Sequence, residues 1–131
     1  MISSSSNLNI IRVLFKNRRQ KYTLDLYYEL LFNTIKIINN LMEPYGGVLS
    51  EGFLEKRNNA KNTFKQGKVE ESFDLLLKLL DDSRKRVAEK EENAWYELLE
   101  SLIVSSRLRL EVGEFPRVDW YLAETKYILN T

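Results

Sequence analysis

The sequence predicts an all-α protein, a bundle of five or six helices, and three observations support that prediction. Glycine and proline are scarce, with 5 Gly and 2 Pro in 131 residues, so few positions interrupt a helix. Apolar residues recur at steps of three and four over most of the chain, which is the helical period. No stretch alternates apolar and polar residues between hairpin turns, as half-buried strands do. We expect one domain over residues 1–131, because a chain of this length buries a substantial core.

The first twenty residues divide into a leader and a short helix. Residues 1–7 contain four consecutive serines and predict a flexible leader. Residues 8–20 place Ile11, Leu14 and Phe15 on one side of a helix and basic side chains on the other. Such a short amphipathic helix needs support from the rest of the fold.

Residues 22–42 form the clearest predicted helix of the first half, and it is apolar around most of its circumference. Two neighbouring apolar rows run along it. The first comprises Leu24, Tyr28, Leu31, Ile35, Ile38 and Met42, and the second comprises Leu26, Leu30, Ile37 and Leu41. A helix of this kind is either the central element of its domain or part of an interface between copies of the chain. The sequence leaves both alternatives open.

Four further helices follow, and glycine, proline or polar residues separate them. Pro44, Gly46 and Gly47 end the helix over residues 22–42. Gly67 and Gly113 mark two later breaks. The predicted segments are residues 53–66, 69–89, 93–112 and a last helix with Pro116 in its first turn and the apolar row Val118, Leu122, Thr125 and Leu129.

Gly67 and Gly113 stand in the same local pattern, 46 residues apart. In both places an apolar residue lies three positions before the glycine, and a charged residue and an apolar residue follow it. An antiparallel helical hairpin needs a residue that adopts positive φ after its first helix, and an apolar residue after the turn. Five residues after the glycines, Ser72 and Val118 stand where the two helices of a hairpin cross closely. The pattern predicts two stacked antiparallel hairpins in the C-terminal part of the bundle.

Each turn and the helix after it resemble the corresponding part of a tetratricopeptide repeat. The matching residues are Gly67, Val69, Ser72, Leu76 and Leu79 in the first hairpin, and Gly113, Phe115, Val118, Leu122 and Thr125 in the second. The resemblance covers residues 53–131 and implies a groove that binds a peptide or a partner helix. The offset is 46 residues, against about 34 in that repeat, and the Trp/Leu–Gly signature of its first helix is missing. A generic up-down bundle, which also needs glycine between helices, is the alternative.

The residue types exclude several classes of chemistry. The chain contains 0 His and 0 Cys, which removes the commonest general base, the thiol nucleophile, the usual zinc ligands and disulfides. Glu97 and Glu100 lie three residues apart on one predicted helix, but metal sites of that kind in bundles usually also use histidine. We interpret these carboxylates as groups on solvent-exposed faces of the helices. The sequence therefore predicts a protein that is not an enzyme and has no cofactor.

Targeting and charge indicate a cytoplasmic protein without a membrane partner. The N-terminal residues lack the basic and apolar regions of a secretory signal, and no apolar run is long enough to span a bilayer. The net charge is +1, so no strong overall field favours nucleic acid or an anionic lipid surface.

One local cluster nevertheless favours nucleic acid, and it comprises Arg12, Lys16, Arg18, Arg19 and Lys21. Three tyrosines follow within residues 22–28, and interleaved basic and aromatic groups are typical of sites for single-stranded nucleic acid. Cations near a helix C-terminus also stabilise the helix dipole, which is the structural alternative. A second basic run, residues 83–86, follows Asp81 and Asp82, and ion pairs such as Asp81–Lys85 or Asp82–Arg86 explain it.

The candidate protein interface consists of four residues on two helices. Trp120 and Tyr127 lie seven residues apart in the last helix and share a face away from its apolar row. Because Trp and Tyr are favoured interface anchors, this face predicts contact with a partner, unless the helix over residues 53–66 covers it. Tyr28 and Ile35 on the apolar helix complete the candidate interface, whereas Trp95 is expected in the core.

These observations favour a non-enzymatic protein-interaction or assembly module. Its expected partner is another protein or a second copy of the chain, which would form a homodimer. The alternative is a nucleic-acid-binding accessory protein that uses the basic cluster at residues 12–21. The nearly neutral net charge and the pI of 7.9 place that alternative second.

Overall fold

The computed structural model describes residues 22–42 and 49–130. Of these residues 84% are helical and none belongs to a strand, so the predicted all-α bundle is confirmed. The helices are α1 (Leu24–Met42), α2 (Glu51–Lys65), α3 (Val69–Ala88), α4 (Ala94–Glu111) and α5 (Phe115–Leu129). The bounds of α1 to α4 lie within two residues of the predicted ones. The predicted helix over residues 8–20 and the break at residues 44–47 lie outside the described residues.

Helix α4 is the centre of the bundle, because each of the other four described helices packs against it. Thirteen of its 18 residues are buried. Ser101, Ser105 and Ser106 are among them, and such small side chains let neighbouring helices approach closely. The hydroxyls of Ser101 and Ser106 donate to carbonyl oxygens one turn earlier, at 2.8 and 2.7 Å. Of the two alternatives for the helix over residues 22–42, the central position is the wrong one, since among the described helices the α1 backbone runs alongside α4 alone.

The turns after α2 and α4 have the same backbone conformation. Gly67 and Gly113 have φ values of 85° and 76°, in the left-handed region that glycine adopts without strain. Lys68 and Glu114 follow them with identical angles, φ −87° and ψ 68°. In both turns the N–H of the residue after glycine bonds to the carbonyl oxygen five residues earlier, which is the Schellman pattern. The shared sequence pattern therefore corresponds to a shared turn.

Both turns reverse the chain, so α2–α3 and α4–α5 are antiparallel pairs. Across the first turn the rings of Phe64 and Phe73 pack with centroids 6.0 Å apart. One turn further along, the Ser72 hydroxyl donates to the carbonyl oxygen of Ala60 at 2.6 Å. Val118 occupies the corresponding position after the second turn, and both Ser72 and Val118 are completely buried. Small or compact residues at these crossings allow the close approach that the sequence predicted.

Helix α3 ends in the same hydrogen-bond pattern without a glycine. The N–H groups of Lys90 and Glu91 bond to the carbonyl oxygens of Val87 and Arg86, both at 3.0 Å. Lys90 takes the position of glycine and has a φ of 60°. A lysine in this region is strained, because its Cβ approaches the following carbonyl group.

Helix α1 meets the core through Tyr27, Leu31 and Ile38. The ring of Tyr27 stacks on Phe115 with centroids 5.6 Å apart, and its hydroxyl donates to Asp119 at 2.8 Å. The predicted row contained Tyr28 at this place, and that assignment is wrong because Tyr28 is half-exposed. Adjacent tyrosines both fit a helical row, and Tyr27 takes the buried position because α5 supplies an acceptor for its hydroxyl.

Candidate protein-interaction surfaces

Trp120 and Tyr127 project from the side of α5 that points away from the core. They are 71% and 72% exposed, the highest values among the large apolar residues of the described ranges. The buried residues of this helix lie on its opposite side and are Phe115, Val118, Tyr121 and Thr125. Helix α2 does not contact α5. The alternative that the helix over residues 53–66 covers the two rings is therefore wrong.

One arginine lies beside these two rings. The guanidinium of Arg117 lies 5.7 Å from the ring centroid of Trp120, and Arg117 makes no ion pair with another described residue. Glu124 lies on the same side of the helix, and Arg84 donates two hydrogen bonds to its carboxylate at 2.6 and 3.0 Å. Lys126 lies on a different side of α5, which faces α1. We call the set Arg117, Trp120 and Tyr127 the aromatic face of α5.

Helix α1 leaves apolar side chains exposed on both sides of the row that meets the core. On one side lie the half-exposed Tyr28 and Phe32, with the Lys36 ammonium 4.6 Å from the Phe32 ring centroid. Burial raises the pKa of the Tyr28 hydroxyl, and the carboxylate of Glu111 on α4 raises it further. On the other side lie four residues that we call the α1 row, namely Leu26, Leu30, Ile37 and Leu41.

The structure does not join the four predicted interface residues into one patch. Trp120 and Tyr127 lie on the outer side of α5, and Tyr28 lies beside the end of α4. Ile35 is partly buried and packs against the core. The aromatic face of α5 and the exposed sides of α1 are therefore separate candidate surfaces.

A groove runs between the α1 row and α5. Its first part has a volume of about 440 Å³, and its apolar lining includes Leu30, Ile37, Leu122 and Leu129. Its second part has a volume of about 480 Å³, and its lining includes Leu41, Trp95, Leu99, Ile128 and Leu129. Leu129 borders both parts, so the two parts adjoin each other. Its walls are mostly apolar, as in sites that bind apolar side chains.

Trp95 is half-exposed at this groove, which contradicts its predicted place in the core. Helix α4 begins at Ala94, and it is Ala94 that is completely buried there. Because the first turn of α4 lies at the edge of the bundle, the space beside it fits alanine and leaves the indole outside.

Glu97 is buried, which contradicts its interpretation as part of a solvated helix face. It is 2% exposed and forms an ion pair with Arg86, which also bonds to Asp82 at 3.0 Å. Its carboxylate accepts hydrogen bonds from the N–H and the hydroxyl of Ser50, at 3.0 and 2.8 Å. Ser50 in turn caps α2, since its hydroxyl accepts from the N–H of Phe53. Glu97 thus connects α4 to α3 and to the beginning of α2.

The other carboxylates give no metal centre in the part of the chain that the structure describes. Glu100 lies 3.5 Å from Arg57 in a partly exposed ion pair. Residues 22–42 and 49–130 contain no group of three or more acidic side chains arranged to hold a metal ion. None of the described helices combines the length and the apolar character that crossing a membrane requires.

The two basic runs have different outcomes. In the second run Arg86 pairs with Asp82, as predicted, but Arg84 and not Lys85 pairs with Asp81, at 3.3 Å. Ion pairs within α3 therefore account for part of this run. The first cluster lies outside the described residues, so its role stays a prediction for Arg12, Lys16, Arg18, Arg19 and Lys21.

Comparisons of the chain with protein-family models, with curated proteins and with solved structures found no match. The resemblance of the turns after Gly67 and Gly113 to tetratricopeptide repeats therefore stays a prediction.

Proposed function

We propose that the protein is a non-enzymatic interaction module that binds a protein partner through the aromatic face of α5. The exposure of Trp120 and Tyr127 carries this proposal. Both rings extend into water on the side of α5 that no other described helix covers, where they contribute little to the fold. Burial of a large apolar side chain stabilises a complex by about 1.5–3 kcal/mol, and Trp and Tyr are the residues most enriched at interface hot spots.

The charges of the aromatic face indicate the chemistry of the partner. Arg117 lies beside the Trp120 ring and has no carboxylate partner among the described residues. An apolar or aromatic side chain of the partner fits against the rings, and an acidic group beside it fits the guanidinium. The proposed ligand is therefore an acidic protein segment with an apolar anchor.

The packing of α5 against the rest of the fold favours binding at the aromatic face as well. Tyr121 and Thr125 are buried on the inner side of α5, and the Arg84–Glu124 pair ties this helix to α3. A face on such a packed helix loses little conformational freedom when a partner binds.

Affinity capture with the full chain tests the proposal. The tagged protein is exposed to lysate of its native cells, and captured proteins are quantified by mass spectrometry. We expect a partner whose recovery falls at least about tenfold with Trp120→Ser/Tyr127→Ser, which corresponds to roughly 1.4 kcal/mol. The matched control is Tyr28→Ser/Phe32→Ser, which removes two exposed rings from α1 and should leave recovery unchanged. Equal recovery with both double variants contradicts the proposal.

The alternative function, a nucleic-acid-binding accessory protein, rests on the basic cluster and the tyrosines that follow it. Its test is binding to single- and double-stranded oligonucleotides at low and moderate salt. The Lys16/Arg18/Arg19/Lys21→Ala variant should bind more weakly and with a smaller salt dependence, because it makes fewer phosphate contacts. Unchanged binding by that variant would end this alternative.

A further inference from the structure

The α1 row has a symmetry that suits it to contact a copy of itself. Its members are spaced by four, seven and four residues, in the order Leu26, Leu30, Ile37 and Leu41. The spacing is the same from either end, and its midpoint falls between Asn33 and Thr34. When two such helices lie antiparallel about a two-fold axis at that midpoint, Leu26 faces Leu41 and Leu30 faces Ile37. A two-fold interface requires this kind of self-complementarity.

Three of the four residues of the row stay exposed in the part of the fold that the structure describes. Leu26, Ile37 and Leu41 are 37%, 48% and 43% exposed, and Leu30 is partly buried. Among the described helices the α1 backbone runs alongside α4 alone, and the buried stripe around Tyr27 and Leu31 makes the contacts with α4 and with Phe115 of α5. A helix that is apolar around most of its girth is either central or interfacial, and α1 is not central. Because no other described helix covers the row, we infer that it belongs to an interface.

The groove beside the row supplies the shape for that interface. It is lined by the row on one side and by Leu122 and Leu129 of α5 on the other. A ridge of leucine and isoleucine side chains on a second copy fits into such an apolar groove. The two-fold axis repeats the contact, so each copy supplies both a ridge and a groove.

The helix dipoles also favour the antiparallel arrangement, because antiparallel pairing sets the two dipoles in opposite directions. Asp25, Glu29 and Lys36 share the Phe32 side of α1, away from the row, so their charges stay outside the contact. The net charge of +1 leaves little repulsion between copies.

We propose that the protein forms a two-fold symmetric homodimer in which two α1 rows pack antiparallel, each in the groove between α1 and α5 of the other copy. This proposal specifies one partner and therefore rests on the proposed function as an interaction module. It uses a different surface, since Trp120 and Tyr127 do not line the groove. The dimer thus keeps both rings exposed for another protein.

Sedimentation of the full chain over a wide range of concentration tests the dimer. We expect wild type to associate reversibly, and Ile37→Glu to raise the dimer dissociation constant at least about 100-fold, because the two-fold axis buries two uncompensated carboxylates. The matched control is Phe32→Glu, which puts the same charge on the other exposed side of α1 and should leave the dissociation constant unchanged. Circular dichroism with thermal unfolding verifies that both variants fold.

Cross-linking tests the position of the axis, and the chain is suited to it because it contains 0 Cys. Asn33→Cys lies next to the proposed axis, so a short bis-maleimide should join two copies of this variant. Asn40→Cys is the matched control, since the two-fold axis separates residue 40 from its copy by about 20 Å along the helix, at a rise of 1.5 Å per residue. Both positions are exposed in the single chain.

Four results would overturn the homodimer. They are a monomer at every concentration, a dimer that persists in Ile37→Glu, a dissociation constant that Phe32→Glu raises as much as Ile37→Glu does, and equal cross-linking at positions 33 and 40. A monomer that still captures a partner through Trp120 and Tyr127 would refute the dimer and leave the proposed function intact. A dimer whose captured proteins do not depend on those rings would refute binding through the aromatic face of α5 and retain the dimer.

Discussion

Replacing Glu97 by alanine tests whether one buried carboxylate holds three helices together. The substitution removes the ion-pair partner of Arg86 on α3 and the acceptor of two hydrogen bonds from Ser50 at the start of α2. Loss of one partner of a buried ion pair costs about 3–5 kcal/mol. Arg86 is partly exposed and keeps Asp82 at 3.0 Å, which moves the cost to the lower end of that range. We expect Glu97→Ala to lower the free energy of unfolding by about 3 kcal/mol.

Thermal and urea unfolding, followed by far-UV circular dichroism, measure this loss. An unfolding entropy of about 2.1 cal/mol/K per residue converts 3 kcal/mol into a decrease in Tm of about 11 °C for a chain of this length. Glu100→Ala is the control, because Glu100 makes only a partly exposed ion pair at 3.5 Å and should cost less than about 1 kcal/mol. Glu97→Gln keeps one acceptor oxygen for Ser50 but replaces the other oxygen by an NH2 donor and removes the charge, so an intermediate loss is expected. A loss for Glu97→Ala no larger than that for Glu100→Ala would refute the reasoning.

Three further predictions concern turns, pH and the contact between α1 and α5. Gly67→Ala should lower the free energy of unfolding by about 1 kcal/mol through its positive φ alone, since no atom lies within 4 Å of the added Cβ. Lys90→Gly should raise the free energy of unfolding by a similar amount, because it relieves the strain of a positive φ. Urea unfolding measures both changes. Burial raises the pKa of the Glu111 carboxyl, so wild type loses stability as pH rises from the unfolded-state pKa through the folded-state pKa. In thermal unfolding, Glu111→Gln should match wild type below about pH 4 and be more stable than wild type near pH 7. Equal stability of the two proteins at both pH values would contradict this prediction. Tyr27→Phe removes the hydrogen bond to Asp119 and should cost about 1 kcal/mol, whereas the exposed Tyr28→Phe should change stability by less than about 0.5 kcal/mol.

The locations of α1 to α5 could be predicted because they depend on local properties of the chain. Helical spacing of apolar residues and the scarcity of breakers set the segments, and a glycine that takes positive φ ends α2 and α4. Each of these signals acts within about five residues, so the printed sequence contains it completely. Ser72 and Val118 were located by the same local reasoning, from their distance to Gly67 and Gly113.

The interactions at the candidate sites depend on residues far apart in the chain, and sequence reasoning missed several of them. Tyr27 is buried because Asp119 and Phe115, some ninety residues later, accept its hydroxyl and stack on its ring. Glu97 is buried because Ser50 and Arg86 converge on it from two other helices. The only sequence signal for such a carboxylate is its position between apolar residues of α4, and many solvated glutamates share that feature.

The amino-acid pattern was sufficient to specify the five described helices and two equivalent glycine turns, because backbone conformation and helical periodicity are local. Which helix lies at the centre of the bundle and which lies at its side was decided by packing. Helix α1 is the more apolar helix but lies at the side, whereas α4, with its buried serines, an arginine and a glutamate, occupies the centre. Short turns force α3 and α5 against α4, and its small side chains admit α1 and α2 as well. Burial is thus a property of the assembled bundle, and for that reason the exposed row of α1 and the two rings of α5 became visible only when the helices were placed together.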